Sequence, residues 1–175
     1  MADALTLTIT ATMDWLFNDA LDLSTISDST KITYDKSLTD GTGNSLVDGI
    51  WHDTRTISGA AGTADSLDVG ALAQTLFGQA DTMDFVVGKI KMIYIVNTNT
   101  TSGDDLYIDS SVANSLILPF VSIATAKIEI PADSCLLWVN KVPGWTTSAT
   151  TGIVSIKKDV AADVIYKIVI AGVKA

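Results

Sequence analysis

The chain has 175 residues, 47% of them hydrophobic and 18% charged, which is the size of one domain with a sizeable core and too apolar for disorder. Twenty acidic against eleven basic side chains leave a net charge of −9, a balance that excludes an electrostatic grip on nucleic acid or on an anionic membrane. One cysteine and one histidine exclude an internal disulfide framework and a multi-histidine metal site.

The acidic residues are almost all Asp, with Glu129 the single glutamate, and Gln stands only at positions 74 and 79. The usual helix-surface residues are therefore scarce, while Thr, Ser, Asp, Val and Ile dominate, so composition alone predicts an all-β chain. The start of the chain has neither the basic residues nor the apolar stretch of a signal peptide, and no apolar run approaches eighteen residues. The expectation is a protein that folds where it is made and does not span a membrane.

In chain order, Leu5, Leu7, Ile9 and Ala11 alternate with Thr6, Thr8, Thr10 and Thr12, the period of a strand with one buried face. Shorter alternations follow at 21–23 and 32–34. Residues 37–48 collect Gly, Asn, Asp and Ser and read as a loop or linker. Beyond them come nine apolar runs, at 50–57, 66–69, 84–97, 105–109, 116–121, 126–130, 135–140, 153–157 and 163–170. With turn residues between them, these predict a sandwich or barrel. In the longest run the buried parity switches near Gly88, which predicts a β-bulge. Only residues 71–77, between Asp68 and Gly78, have the pattern of a helical turn or two.

Chemistry is sparse. His52 adjoins Asp53, but neighbouring strand residues point to opposite faces, so the pair makes a poor start for a hydrolytic triad. Asp104, Asp105 and Asp109 suggest either a carboxylate pair or a calcium loop, yet they miss the D-x-[DN]-x-[DN]-G spacing and read first as solvated turn residues. Asn99-Thr100-Thr101 is a glycosylation sequon without an export signal. Lys89 with Lys91 and Lys157 with Lys158 read as solvated faces. Cys135, in an apolar run, reads as a small packed hydrophobe. Trp51 and Trp138 are assigned to the core, whereas Trp15 and Trp145 stand equally as loop-packing residues and as contacts to a partner. No catalytic, cofactor-binding or metal-binding residue is assigned.

Ile50-Trp51-His52-Asp53-Thr54-Arg55-Thr56, then Ser66-Leu67-Asp68-Val69, Leu76-Phe77-Gly78 and the stretch from Val87 to Asn97, resemble in their order the small jelly-roll structural proteins of tailed bacteriophages, the capsid decoration or cement proteins. The similarity continues through Gly103-Asp104-Asp105-Leu106 and Leu118-Pro119-Phe120 to Val164–Gly172. The resemblance covers roughly residues 48–172 and implies an antiparallel jelly-roll β-sandwich domain over 48–175; residues 1–47 fall outside it and are expected to add an extra N-terminal β arm or additional strands. It implies a non-enzymatic virion component made in the host cytoplasm, a homotrimer on the outer capsid surface that bridges major capsid protein subunits. Trp15, Phe17 and Trp145 are the candidate interface anchors. A phage tail or fibre module and a carbohydrate-binding module with tryptophan platforms stay open as alternatives. For residues 1–47, attachment to a neighbour and packing onto the chain's own sandwich also stay open.

Overall fold

The computed structural model describes residues 5–20, 25–76, 79–86, 88–111, 113–116, 127–148 and 150–175. Every regular element among them is a strand: β1 (Thr6–Ala20), β2 (Thr25–Asp40), β3 (Leu46–Val47), β4 (Gly49–Ile57), β5 (Ala64–Asp68), β6 (Leu72–Leu76), β7 (Gln79–Met83), β8 (Lys89–Asn97), β9 (Leu106–Asp109), β10 (Lys127–Ile130), β11 (Ser134–Val139), β12 (Trp145–Thr146), β13 (Ile153–Lys158) and β14 (Val164–Val173). These strands pair antiparallel, apart from a two-residue parallel contact of β2 with β3. The chain is thus all-β with several antiparallel sheets, as its β-branched composition requires.

Two sheets form the body. One has the order β11-β8-β14-β4, with β12 also on β8; the other has the order β10-β9-β13-β5. Alternate residues of the first sheet, among them Trp51, Ile93, Ile95, Tyr166, Ile168 and Ile170, share one buried cluster with Leu67, Leu106, Ile108, Ile130, Val154 and Ile156 of the second. The β6–β7 hairpin adds Leu72 and Met83 to this cluster, and the Trp51 indole donates to the Ala73 carbonyl at 2.9 Å. Residues 71–77 were expected to turn helically. Leu72–Leu76 form β6 instead, because pairing with β7 satisfies their backbone and Leu72 is buried in the core; Phe77 and Gly78 lie outside the described residues.

The five-stranded sheet is apolar on both faces, which is why β8 and β14 read as nearly continuous hydrophobic runs. On its outer face Val139, Met92, Ala171 and Ile50 form one cross-strand row, and Leu137, Tyr94, Val169 and His52 the next. The first row is covered by Leu5, Leu7, Ile9, Leu38 and Val47, which form a second, smaller core with it. A third layer, made by β1, β2 and β3, thus lies on part of this face. Residues 37–48 are accordingly not a plain linker: β2 runs on to Asp40 and buries Leu38 completely, and β3 follows.

A register shift opposite Ala171 and Gly172 leaves Lys91 as the extra residue of β8, three positions beyond Gly88, where the parity change predicts a bulge. Gly172 is required there, because a Cβ would meet the Lys89 carbonyl oxygen at 2.3 Å. The bulge turns Lys91 inward, and its ammonium donates to the Lys141 carbonyl at 3.3 Å and to the Pro143 carbonyl. Lys158 is likewise fully buried, donating to Gly59 and Ala162 carbonyls at 2.9 and 2.7 Å. Both lysines were expected on solvated faces. Burial is tolerable because backbone carbonyls replace water around each ammonium. The expected alternation at 21–23 and most of the run at 116–121 lie outside the described residues.

Candidate docking surface

The feature that sets this chain apart from a plain two-sheet body is the β1–β2 ribbon. Fifteen consecutive residue pairs join the two strands, from Thr6 opposite Thr39 to Ala20 opposite Thr25. At about 3.3 Å per residue the ribbon is roughly 50 Å long. The register places Leu7 with Leu38, Ile9 with Lys36, Ala11 with Tyr34 and Met13 with Ile32 on one face. Thr8 with Ser37, Thr10 with Asp35, Thr12 with Thr33 and Asp14 with Lys31 occupy the other face. Alternation thus continues well beyond the first twelve residues.

Burial divides the ribbon into a root and a tip. At the root Ile9 and Leu38 are buried against the five-stranded sheet. From Thr10 outward on β1, and from Ser37 back to Ser29 on β2, every residue whose burial is described is exposed. Met13 is 64% exposed, Ile32 60% and Tyr34 40%, so the apolar face leaves its cover and continues into solvent. The Lys36 ammonium sits 5.3 Å from the centre of the Tyr34 ring, and Thr10 donates to Asp35 on the polar face at 3.4 Å. Residues 1–47 therefore divide between the two alternatives. Their described root packs on the chain's own sheet, and their described tip does not.

Beside the root lies an open groove of about 530 Å³, lined by Leu7 to Thr12 on one side and by Met92, Tyr94, Cys135, Leu137 and Val169 on the other. Six consecutive residues of β1 form its wall, so the wall is the edge of that strand, which pairs only with β2 among the described residues. The floor is the outer sheet face at the margin of the small core, where Met92 is buried and Tyr94, Leu137 and Val169 are half-buried. Cys135 is exposed there rather than packed. Burial raises the Tyr94 hydroxyl pKa, with the neighbouring Cys135 adding to the effect.

The other singled-out residues fall elsewhere. Trp15 and Phe17 stand in β1 opposite Thr30 and Asp28, at positions of the same parity as Met13; their side chains lie outside the described residues. Trp145 is not an exposed anchor but a core residue, 9% exposed and in the main cluster, because β12 pairs with β8 and holds it against the sheet. His52 is exposed on the outer face, while Asp53 points the other way and accepts from Arg55 at 3.0 Å. Asp104, Asp105 and Asp109 are not gathered into one site. Asp105 accepts from the Ala132 amide at 3.1 Å, and Asp109 from the Ser111 amide at 2.8 Å. Asp109 is buried rather than solvated. Burial opposes its charge, but the Ser111 hydrogen bonds, with Lys157 and Lys127 nearby, outweigh that and hold its pKa below the ordinary value. Asn99 of the sequon donates to Asn97 and to the Ile165 carbonyl, at 2.7 and 2.9 Å.

A charged cluster forms a clamp between the sheets. Arg55 on β4 makes two hydrogen bonds to Asp65 on β5, at 2.5 and 3.0 Å, and the fully buried Tyr166 of β14 donates to the same carboxylate at 2.8 Å. Bonding to Asp65 raises the Arg55 pKa above its ordinary value. Burial first, and then the Asp65 charge, raise that of Tyr166. The cluster reads as a structural stitch, since each member is satisfied by another.

No family model, curated protein or solved structure matches the chain.

Proposed function

We propose that the chain is a non-enzymatic structural protein of a virion, a decoration or cement protein that seats on the outer surface of a tailed-phage head and bridges major capsid subunits as a homotrimer. The observation that carries the reading is the ribbon. Its tip extends an apolar face with Met13, Ile32 and Tyr34 into solvent, although a two-stranded ribbon is only marginally stable without something packed on it. An element of that kind is suited to assembly, and uncovered apolar area is where a neighbour gains most.

The topology supports a jelly roll for the body. Leaving aside the small β6, β7 and β12, eight strands run from β4 to β14. The first pairs with the eighth, the second with the seventh, the third with the sixth and the fourth with the fifth. A long antiparallel strip rolled into two facing sheets gives this nested pairing. In this reading 48–175 is the jelly roll and 1–47 supplies the arm. The net charge of −9 suits a surface facing away from packaged DNA phosphates, with Asp side chains at the contact rim meeting capsid Lys or Arg.

Heating particles with and without the bound protein, while following genome release, tests the proposal. A higher release temperature with the protein present is expected. Equal temperatures, or an electron-microscopy map with the chain only on the tail, would reject the cement reading and promote the tail module.

A further inference from the structure

The groove beside the ribbon root has the form of a slot for one added strand. Its wall is the β1 edge over Leu7 to Thr12 and its floor is apolar, with Met92, Tyr94, Leu137 and Val169. An occupant must therefore be extended, have a free edge of its own to meet β1, and present apolar side chains at every second position. This chain carries such a segment. On β2, Ile32 and Tyr34 alternate with Thr33 and Asp35, both apolar residues are uncovered, and from Thr25 to Leu38 β2 pairs only with β1 among the described residues. We propose that the slot receives the β2 edge around Ile32 and Tyr34 of a second copy, so that each copy donates one edge and accepts another.

This deepens the reading of the ribbon as an assembly element by naming the neighbour that meets it. One contact satisfies three needs: the open edge of β1, the open edge of β2, and the half-buried sheet floor. A six-residue slot is about 20 Å long and a ribbon about 10 Å wide, so one contact buries roughly 500 Å² counting both partners and the edge. That is below the ~1,200 Å² of a standard stable interface. Donor and acceptor edges differ, however, so copies join head to tail, and a closed ring gives every copy two contacts at once. Closure into a small ring is therefore what makes the contact persist, and it fits the trimer of the capsid proposal.

The test uses the full chain and three residues exposed in the single copy. Ile32→Asp with Tyr34→Asp disables the donor edge, and Ala11→Asp disables the acceptor slot; thermal unfolding checks that each variant still folds. By sedimentation the unaltered chain is expected as a closed multimer, and each variant as a single chain, its association weakened at least ~100-fold. Mixing the two variants restores one contact without ring closure and should give a weak two-chain species whose share grows with protein concentration, which a self-pairing of like edges does not produce. Cys135 on the slot floor supplies a second readout. Its reaction with a thiol reagent should slow about tenfold or more in the multimer and run at full rate in both variants.

An unaltered chain that sediments singly overturns the proposal. So does a multimer that neither variant disturbs, or a mixture that shows no association even at the highest concentration reached. A chain that is single in solution yet raises the genome-release temperature of particles removes the copy-to-copy contact and leaves the capsid reading standing. A ring that fails to bind particles does the reverse.

Discussion

Replacing Asp65 by Ala should be among the most damaging single changes in the body, and the clamp geometry sets the size of the loss. Three hydrogen bonds end on this carboxylate, two from Arg55 and one from Tyr166. The Asp65 side chain is 16% exposed and that of Arg55 33%, so solvent screens the ion pair and it contributes only about 1 kcal/mol. Arg55 also retains Asp53 at 3.0 Å. Tyr166 is fully buried, and although Arg55 also bonds its oxygen, its hydroxyl proton would lose the Asp65 acceptor, at a cost of about 1–3 kcal/mol. The sum is about 2–4 kcal/mol, or roughly 5–15 °C in Tm for a chain of this size. Asp65→Asn keeps an acceptor for Tyr166 and should lose about half as much.

Thermal unfolding followed by circular dichroism, at one fixed protein concentration, measures both variants. Adding Tyr166→Phe to Asp65→Ala removes the stranded hydroxyl and should recover about 1 kcal/mol. An Asp65→Ala protein within about 0.5 kcal/mol of the parent, or a double variant whose losses simply add, would falsify this account of the clamp.

Alkaline stability should follow Tyr166. Its folded pKa is raised, so its contribution is complete below the ordinary tyrosine value near 10 and declines as pH climbs past it. Tyr166→Phe should therefore lose less stability than the parent between about pH 9 and 11 in denaturant titrations. Lys91, whose folded pKa is lowered chiefly by burial, works in the opposite sense, its penalty fading as pH rises towards the ordinary lysine value. Asp109, with its lowered folded pKa, stabilises above the ordinary carboxylate value and loses that contribution as pH falls, so Asp109→Asn should flatten the acid limb of the same titration. Leu38→Ala empties the centre of the small core under the ribbon and should cost about 2–4 kcal/mol, seen as faster amide exchange at the ribbon root than in β14. Gly172→Ala drives a Cβ into the Lys89 carbonyl and should cost at least ~2 kcal/mol in thermal unfolding, whereas His52→Ala, on an exposed face, should change stability by less than about 0.5 kcal/mol.

By itself the sequence determined the all-β class and the positions of most described body strands, because both depend on local properties: β-branched composition, period-two alternation, and turn residues between runs. It also carried the ribbon's amphipathic face, since Leu7, Ile9, Ala11 and Met13 keep one parity. The same rule separated His52 from Asp53. Only the tertiary structure decided which apolar residues are covered. Neither Trp145, which follows a glycine, nor Met13, which stands between polar residues, has an apolar side chain next to it in the chain, yet pairing of β12 with β8 buries the first while the ribbon's reach beyond the sheet exposes the second. Lys91 and Lys158 read as surface residues because charge defaults to water; a bulge and three loops supplied carbonyls that no local pattern announces. The clamp of Arg55, Asp65 and Tyr166 includes a bond between residues 101 positions apart, and the slot beside β1 exists only where that strand's edge meets the outer face of another sheet. Local periodicity says which side of a strand is apolar, but cover comes from distant segments, and their placement is a property of the whole fold.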